Sequence, residues 1–393
     1  HTLSLRYTFV HALYQDALYA SLTPARRAKT SELVAQSLLG LHRKKKATVA
    51  AELALLFEVA RKFARAADFF GLAARNATAI YANQEAVELT RRAIANAEKL
   101  EGKQRHRRVL LAALQLGHLH TTLSQFEDAA EDFAKAASAA RACGDQKKEV
   151  GAICGSALTQ LYLKRLGEMV TQGQRALELA RTTGSDVCVA SAEMVLAHER
   201  LCVGALSTAE EYFDRAVPIM KRDGAAIQQL DASASAGMIY TWRLEYEKAH
   251  RTIDSAMQKS RELGACTPLL RCLLFKSMAL GNQGRLSDAM DALREGIRLA
   301  EINGEQFFLS RLPNTLGWIH REAQDFETAL RLDRENVSLA REMGFQEAEA
   351  NSLVNLGSDY LSLGEPDQAF EYFQEAVAIY EQDVWYRWRY NTR

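Results

Sequence analysis

The feature that most constrains this chain is a glycine that returns at a constant interval along the sequence. The members of this series are Gly144, Gly184, Gly224, Gly264, Gly304 and Gly344. A fixed period of about 40 residues indicates a repeat architecture, in which each unit buries its apolar face against its neighbours. The sequence therefore predicts an array of similar structural units rather than a single globular core.

Each unit also carries small residues at fixed distances from the glycine. The first such series precedes the glycines and keeps the same interval: Gly117, Ala157, Ala197, Gly237, Ser277, Gly317 and Gly357. Two further series follow it at constant offsets, beginning at Ala129 and Ala136, and are mostly Ala. Small side chains at these spacings let two helices approach closely, and a glycine after the second helix supplies the left-handed residue that ends it. We therefore predict two helices in each unit.

Composition supports a helical protein and excludes several functions. The 393 residues include only 5 Pro, and the Val, Ile and Thr alternation typical of strands is absent. Lys+Arg and Asp+Glu both total 49, so no net field attracts nucleic acid. Without an apolar run of about 18 residues or a signal peptide, we predict no membrane association. The 6 Cys lack metal-ligand spacing, which predicts small core residues in a reducing cytoplasm.

The order of residue types within each unit resembles the tetratricopeptide repeat. After the small residue of the first helix come Phe/Tyr/Leu, Ala, an aromatic and Ala, at offsets 9, 12, 16 and 19. Six units from about 109 to 348, and a seventh after them, carry this resemblance. It implies an all-α, right-handed α-solenoid of helix-turn-helix repeats. Gly173 and Asp333 replace the aromatic of the second helix, which predicts looser packing in the second and sixth units.

The two ends of the chain differ from the repeats. We predict that 1–46 is the end of a winged-helix-like or linker region and that 47–104 forms irregular N-terminal helical repeats. The seven tetratricopeptide-like repeats then occupy 105–384, and 385–393 starts a further, truncated repeat. Because the chain begins at His1 and ends in a Trp- and Tyr-rich segment, we expect it to be part of a longer protein.

The first hundred residues resemble the bacterial STAND-type signalling ATPases, the signal-transduction ATPases with numerous domains. The aromatic-x-His-x-Leu stretch from Phe9 to Leu13 is similar to the tail of their winged-helix part. The resemblance implies an ATPase domain upstream in the parent chain and makes His11 a candidate for sensing the β-phosphate of bound ADP. The alternative is a histidine at the edge of a small helical core. No GxxxxGK[ST] motif is present, so this chain has no phosphate-binding loop of its own.

Motifs for catalysis are missing. The sequence contains no HExxH and no GxSxG, and its carboxylates follow the solvent-facing stripes expected of amphipathic helices. We therefore predict no enzymatic activity, no cofactor and no bound metal.

The concave groove is the predicted ligand-binding surface. In tetratricopeptide arrays the first helix of each unit lines this groove, at offsets −6, −3, −2, +1, +4 and +5 from its small residue. The residues selected in this way are His118, Thr122, Tyr162, Met194, His198, Met238, Trp242, Arg271, Phe275, Asn282, Arg311, Asn314, Trp318, Asn351 and Asn355. Aromatic, Met and Asn side chains suit an extended peptide, and Arg271 and Arg311 are placed to meet a carboxylate. The alternative is that the Met and aromatic residues belong to the core.

These observations lead to two functional hypotheses. In the first, a protein, peptide or small effector binds in the groove and shifts the resting state of an upstream ATPase or its output domain, because it binds one state better than the other. Oligomerisation can accompany such activation. In the second, the array is a constitutive adaptor that holds two partners together without switching. Either the groove or the convex face can serve the adaptor.

Overall fold

The computed structural model describes residues 12–42 and 45–381, which form helices joined by short connections. Two compact units divide the chain, His1–Leu116 and Gly117–Arg393. His11 and the aromatic segment 385–390 lie outside the described residues. Within the described ranges, no helix is both long and apolar enough to cross a lipid bilayer.

The first unit consists of helices that pack in sequence order. They are α1 (Ala12–Ser21), α2 (Pro24–Leu41), a 3-10 turn (Lys46–Val49), α3 (Ala50–Val59), α4 (Phe63–Ala79) and α5 (Asn83–Ala97). Leu53, Phe57 and Phe70 are fully buried where α3 and α4 meet. The segment predicted to form irregular helical repeats, 47–104, thus contains α3, α4 and α5. The next helix, α6 (Gly102–Thr122), begins in this unit and ends in the second.

The second unit alternates first and second helices of successive repeats. After α6, the first helices are α8 (Gln146–Tyr162), α10 (Asp186–Cys202), α12 (Ala226–Trp242), α14 (Cys266–Asn282), α16 (Gln306–Glu322) and α18 (Gln346–Ser362). The second helices are α7 (Phe126–Cys143), α9 (Leu166–Thr182), α11 (Leu206–Arg222), α13 (Tyr246–Leu263), α15 (Leu286–Asn303), α17 (Phe326–Glu342) and α19 (Pro366–Glu381). We number the repeats 1 to 7, from α6 and α7 to α18 and α19.

The glycine series ends the second helices, as predicted. Gly144, Gly264 and Gly304 follow α7, α13 and α15 with φ of 80, 63 and 66°. The other members of the series also have positive φ: Gly184, Gly224 and Gly344. Glycine is favoured here because a residue with a Cβ is strained in this conformation.

The small residues of the first helices make room for the second helices. A Cβ on Gly117 would lie 2.9 Å from Phe133 Cε1, and one on Gly357 would lie 2.6 Å from Phe373 Cε1. The predicted close approach is therefore confirmed. The looser packing predicted at Gly173 is wrong, because Val195 of α10 fills the space and its Cγ1 lies 3.0 Å from the position of a Cβ there.

The repeats stack through their first helices. Besides packing on its neighbour in sequence, α8 contacts α10, α12 contacts α14, α14 contacts α16, and α16 contacts α18. Helices that touch their second neighbours lie on the inner, shorter side of a curved array. These inner helices are buried around most of their circumference, and in α14 Leu270, Cys272 and Leu273 are 0 to 1% exposed. The predicted α-solenoid is confirmed.

Candidate functional site

Arg271 of α14 is the centre of a polar cluster on the inner helices of the second unit. Its Nε lies 3.2 Å from Asp231 Oδ1, and its side chain is 19% exposed. Asp231 precedes Arg271 by one repeat, so the two occupy equivalent positions on α12 and α14 and the stacking of repeats brings them together. The phenol of Tyr162, at the end of α8, also acts electrostatically on Arg271 and helps to raise its pKa. Residues from three repeats thus act on one guanidinium.

The charges of this pair are set by burial and by mutual attraction. Burial disfavours the charged form of Arg271, but Asp231 and Tyr162 outweigh that cost and its pKa is raised. Burial raises the pKa of Asp231, and Arg271 only partly offsets the shift. A guanidinium is a planar fork of donors, so it can exchange one acceptor for another without losing its charge.

Glu305, which directly precedes α16, adds a second carboxyl group. Its side chain is buried, and Thr267 Oγ1 donates a hydrogen bond to its Oε1 over 2.5 Å. Burial raises the pKa of Glu305 to about 7, although Thr267 and Arg271 act in the opposite direction. Near neutral pH this carboxyl group is therefore present in both protonation states, and it can donate or accept a hydrogen bond.

His198 of α10 borders the cluster as a neutral ring. Its Nδ1 donates to the carbonyl oxygen of Met194 over 2.8 Å, and its Nε2 lies 3.3 Å from Ser235 Oγ. Burial lowers the pKa of His198 to about 4. The hydrogen bond to Met194 acts to raise this pKa, and the charge of Arg271 acts to lower it further. Since Nδ1 carries the hydrogen, Nε2 is an acceptor.

The cluster is suited to binding by ion pairs and hydrogen bonds. Burial raises the pKa of the Cys266 and Cys272 thiols to about 12, so both stay protonated and neither is an activated nucleophile. Within 12–42 and 45–381, no group of three or more His, Cys, Asp or Glu side chains is placed to hold a metal ion.

The structure brings some of the sequence-predicted groove residues together. Tyr162 acts electrostatically on Arg271, and His198 hydrogen-bonds the carbonyl oxygen of Met194. Asn355 Nδ2 donates to the carbonyl oxygen of Asn314 over 2.9 Å. Five of the predicted residues are less than a tenth exposed and contribute to the core as well: Met194, His198, Met238, Phe275 and Asn314.

The other predicted residues lie apart from the Arg271 cluster or at its borders. His118 stands edge-on to Phe133, with ring centroids 5.1 Å apart. Asn351 accepts a hydrogen bond from Tyr380, and Trp318 donates one to Glu322. The remainder are exposed or partly buried on the first helices: Thr122, Trp242, Asn282 and Arg311.

Sequence reasoning missed two members of the cluster, Asp231 and Glu305. Asp231 lies at offset −6 from Gly237, as Arg271 does from Ser277, so the spacing rule itself contains it. Glu305 lies at the start of a first helix, where the other repeats carry residues of several kinds, so no register signal distinguishes it.

Comparison with known proteins agrees with this architecture. Residues 309–382 match the tetratricopeptide repeat family model. None of the curated proteins shows significant sequence similarity to the chain. A Rap protein complexed with competence and sporulation factor is 13% identical, with a TM-score of 0.64 over 90% of this chain and 98% of that one.

Two further solved structures have the same fold. The Rap conjugation gene regulator of plasmid pLS20, in complex with the Phr* peptide, is 12% identical, with a TM-score of 0.58 over 82% of this chain and 96% of that one. Aspartyl phosphate phosphatase F from Bacillus subtilis is 13% identical, with a TM-score of 0.53 over 76% of each chain. At these identities the likeness concerns the fold. The repeat match, the stacked hairpins and the structural likeness define the second unit as a tetratricopeptide-like α-solenoid.

Proposed function

We propose that the second unit is the ligand-binding sensor module of a cytosolic signalling protein, and that its inner face binds a peptide, a protein segment or a small effector around Arg271. The observation that carries this proposal is the convergence of Asp231, Arg271 and Glu305 from three consecutive repeats. Buried charges are costly, and a solenoid does not need them to stack its helices. Carboxyl groups with perturbed pKa values beside a cation are candidates for a functional site.

A peptide is the first class of ligand to test. Tyr162, Arg271 and Asn351 lie on the inner helices and offer a ring, a fork of donors and an amide, the groups that recognise side chains and backbone of an extended chain. Two proteins of similar fold have been solved in complex, one with competence and sporulation factor and the other with the Phr* peptide. Their ligands are properties of those proteins, and they guide the choice of library here.

The binding proposal can be tested with a library of short synthetic peptides and a thermal-shift readout, since a ligand that binds only the folded state raises the melting temperature. Each stabilising peptide is then titrated against Arg271→Lys, which keeps the charge but loses the fork. The control is Arg294→Ala, whose side chain is 51% exposed on α15 and lies 3.7 Å from nearby Asp291. We expect about tenfold weaker binding to Arg271→Lys and unchanged binding to the control.

Two results would count against the inner face. If peptides bind both variants equally, the ligand lies elsewhere on the chain. If no peptide shifts the wild-type transition, a second library of small anionic and cationic metabolites decides between an effector and no ligand at all. Circular dichroism of Arg271→Lys, unchanged in shape and melting temperature, separates lost binding from lost folding.

The regulatory part of the proposal rests on the resemblance of the first hundred residues to STAND-type ATPases. In the parent protein, ligand affinity should differ between ADP and ATP, because coupling between two sites is reciprocal. Removing residues 1–46 should leave ligand binding intact and abolish this difference. A constitutive adaptor predicts one affinity under both nucleotides, so the same comparison decides between the two hypotheses, and His11→Ala tests the nucleotide-sensing role of that histidine.

A further inference from the structure

The early and late repeats of the second unit meet in a cluster of four rings, which we call the aromatic seam: Phe126, Tyr162, Phe307 and Phe345. Phe126 and Tyr162 stack with ring centroids 4.5 Å apart. Tyr162 meets Phe307 edge-on at 5.2 Å, and Phe345 lies 5.5 Å from Phe307 and 6.3 Å from Phe126. Repeats 1 and 2 therefore contact repeats 6 and 7 directly.

Two further contacts extend the aromatic seam. Lys164 Nζ donates a hydrogen bond to Gln346 Oε1 over 2.6 Å, although the two residues are far apart in the sequence. Cys202, at the end of α10, is 6% exposed and packs with Leu161, Leu166 and Tyr380. Tyr380 belongs to α19, so this contact also joins an early repeat to the last one. The curved array closes on itself along this line.

The seam is built from residues that depart from the repeat pattern. Phe345 immediately precedes a first helix, and the residues at that position in the other repeats are small or charged: Asp145, Ser185, Ala225, Ala265 and Glu305. Stacking of neighbouring repeats therefore does not require an aromatic ring here. Phe345 is 6% exposed and packs in one apolar cluster with the other three rings of the seam.

Tyr162 belongs both to the aromatic seam and to the Arg271 cluster. Its ring packs on Phe126 and Phe307, while its phenol interacts electrostatically with Arg271. A ligand that engages the Arg271 guanidinium with a stronger acceptor, such as a carboxylate, competes with the phenol for that cation. Loss of the interaction removes one of the forces that hold Tyr162 in the seam.

We propose that the aromatic seam is a latch that keeps the second unit closed around the Arg271 cluster, with Tyr162 as the residue that couples ligand binding to its opening. The coupling step rests on the proposed function, whereas the latch itself is a property of the ligand-free chain. A ligand then favours the open array because it binds that state better.

The native cysteines provide a probe of opening. Cys202 is covered from the late-repeat side by Tyr380, whereas Cys154 is buried inside the early repeats among Val150, Ala176 and Ala192. Alkylation of the ligand-free chain with iodoacetamide, followed by peptide mass spectrometry, gives a rate for each thiol. The rate at Cys202 reports the open fraction, and the rate at Cys154 reports general loosening.

The latch predicts selective changes in these rates. Tyr162→Ala and Phe345→Ala should each speed alkylation of Cys202 by about tenfold and leave Cys154 unchanged. Tyr162→Phe, which retains the ring and removes only the hydroxyl group that interacts with Arg271, should speed alkylation of Cys202 by roughly threefold. The matched control is Trp242→Ala, because Trp242 ends its first helix as Tyr162 does, two repeats later, and lies outside the seam.

Three outcomes would overturn the proposal. Equal rates at Cys202 in wild type and Tyr162→Ala mean that the seam does not hold the array closed. A parallel rise at Cys154 means that the ring only stabilises the fold. An unchanged rate in Tyr162→Phe removes the coupling role of the phenol. Because no ligand is present in these measurements, a failed ligand search leaves the result valid, and a failed latch leaves inner-face binding to be judged by its own titrations.

Discussion

Ile253 and Asp333 occupy the same position in two repeats of the second unit, the fourth and the sixth, and both are fully buried. We call the contact between the two helices of a repeat a joint, so that Ile253 lies in an apolar joint and Asp333 in a polar joint. Each side chain faces a glycine of the preceding first helix, Gly237 or Gly317, with no room for a Cβ between them. The backbone arrangement is therefore shared, while one joint is apolar and the other carries a carboxyl group. The repeat geometry fixes the space at this position and leaves its chemistry free.

The surroundings of the two residues differ accordingly. Ile253 lies in a continuous cluster of apolar side chains from α10 to α16. Around Asp333, Asn355 Nδ2 donates to Asp333 Oδ1 over 3.1 Å, and Arg321 pairs with buried Asp359 at 3.4 Å. Ser352 Oγ accepts hydrogen bonds from Asn336 and Asn314 over 2.6 and 3.1 Å. The polar side chains bond to one another where the apolar core is interrupted, although Asp333 Oδ2, Asn336 Oδ1 and Asp359 Oδ2 are buried without a hydrogen-bond partner.

The largest expected effect comes from making the apolar joint resemble the polar one. Ile253→Asp places a carboxyl group in a core that offers it no partner, so we expect a loss of at least about 4 kcal/mol in the free energy of unfolding. Urea denaturation followed by circular dichroism measures it, and Ile253→Val, with an expected loss of about 1 kcal/mol, is the control. A loss no larger than that of the control would mean that this joint tolerates charge.

A smaller loss is expected inside the polar joint. Ser352→Ala removes the oxygen that accepts from Asn314 and Asn336, which leaves two buried amide groups without that acceptor and should cost about 2 to 3 kcal/mol. The control is Ser277→Ala, since Ser277 is equally buried but donates only to the Leu274 carbonyl of its own helix. If both variants lose the same amount in urea denaturation, the network around Ser352 contributes nothing specific.

Replacing the buried carboxyl group of Asp333 with an apolar side chain should stabilise the chain. Asp333→Leu matches Leu293, the residue at this position one repeat earlier. The change removes a buried ionisable group, so we expect a gain of about 1 to 3 kcal/mol at neutral pH. The same urea measurement decides it. A clear loss of stability would show that the polar joint depends on the Asp333 carboxyl group for its packing.

The polar joint also predicts a dependence on pH. Burial raises the pKa of Asp333 well above its usual value, opposed by Asn355 and reinforced by Asp359, and burial raises the pKa of Asp359 to about 6 despite Arg321. A carboxyl group whose pKa is higher in the folded chain stabilises the fold below the unfolded value of about 4, and this contribution is lost as pH rises through the folded pKa.

The two carboxyl groups therefore lower the free energy of unfolding as the pH increases from about 4 through about 6 and above. The free energy of unfolding of Asp333→Leu should decline less steeply with pH than that of wild type. The variant's gain in stability should therefore grow as the pH rises. Urea denaturation of both proteins across this window tests the sign. Parallel pH profiles would contradict the raised pKa of Asp333.

Much of the fold could be predicted from the sequence, because each local rule repeats. Gly144 and its equivalents identify the ends of the second helices, and Gly117 identifies a close helix contact, from spacing alone. The polar joint was visible as Asp333 in place of an aromatic. The partners of Asp333 in this joint could not be predicted, because Asn336, Ser352 and Asp359 lie on helices whose mutual contacts depend on packing.

The closure of the array could not be predicted from the repeat pattern. It results from a small rotation at every joint, which accumulates over several repeats and is not encoded by any single unit. The only sequence signal is indirect: Phe345 is aromatic where the other repeats have small or charged residues. In the candidate binding site, the −6 offset identified Arg271, while the electrostatic influence of Tyr162, three repeats away, required the closed structure.

The central claim is that the early and late repeats of the second unit meet in the ligand-free protein. The most direct test is a short bismaleimide cross-link in the Lys164→Cys/Gln346→Cys variant, mapped by peptide mass spectrometry. The control pair is Leu244→Cys/Gln346→Cys, because Leu244 is the same turn residue two repeats later, with φ of 62° against 60° for Lys164. The closed array predicts rapid intramolecular linkage of 164 to 346 and little linkage in the control. Equal, slow linkage in both pairs would contradict it.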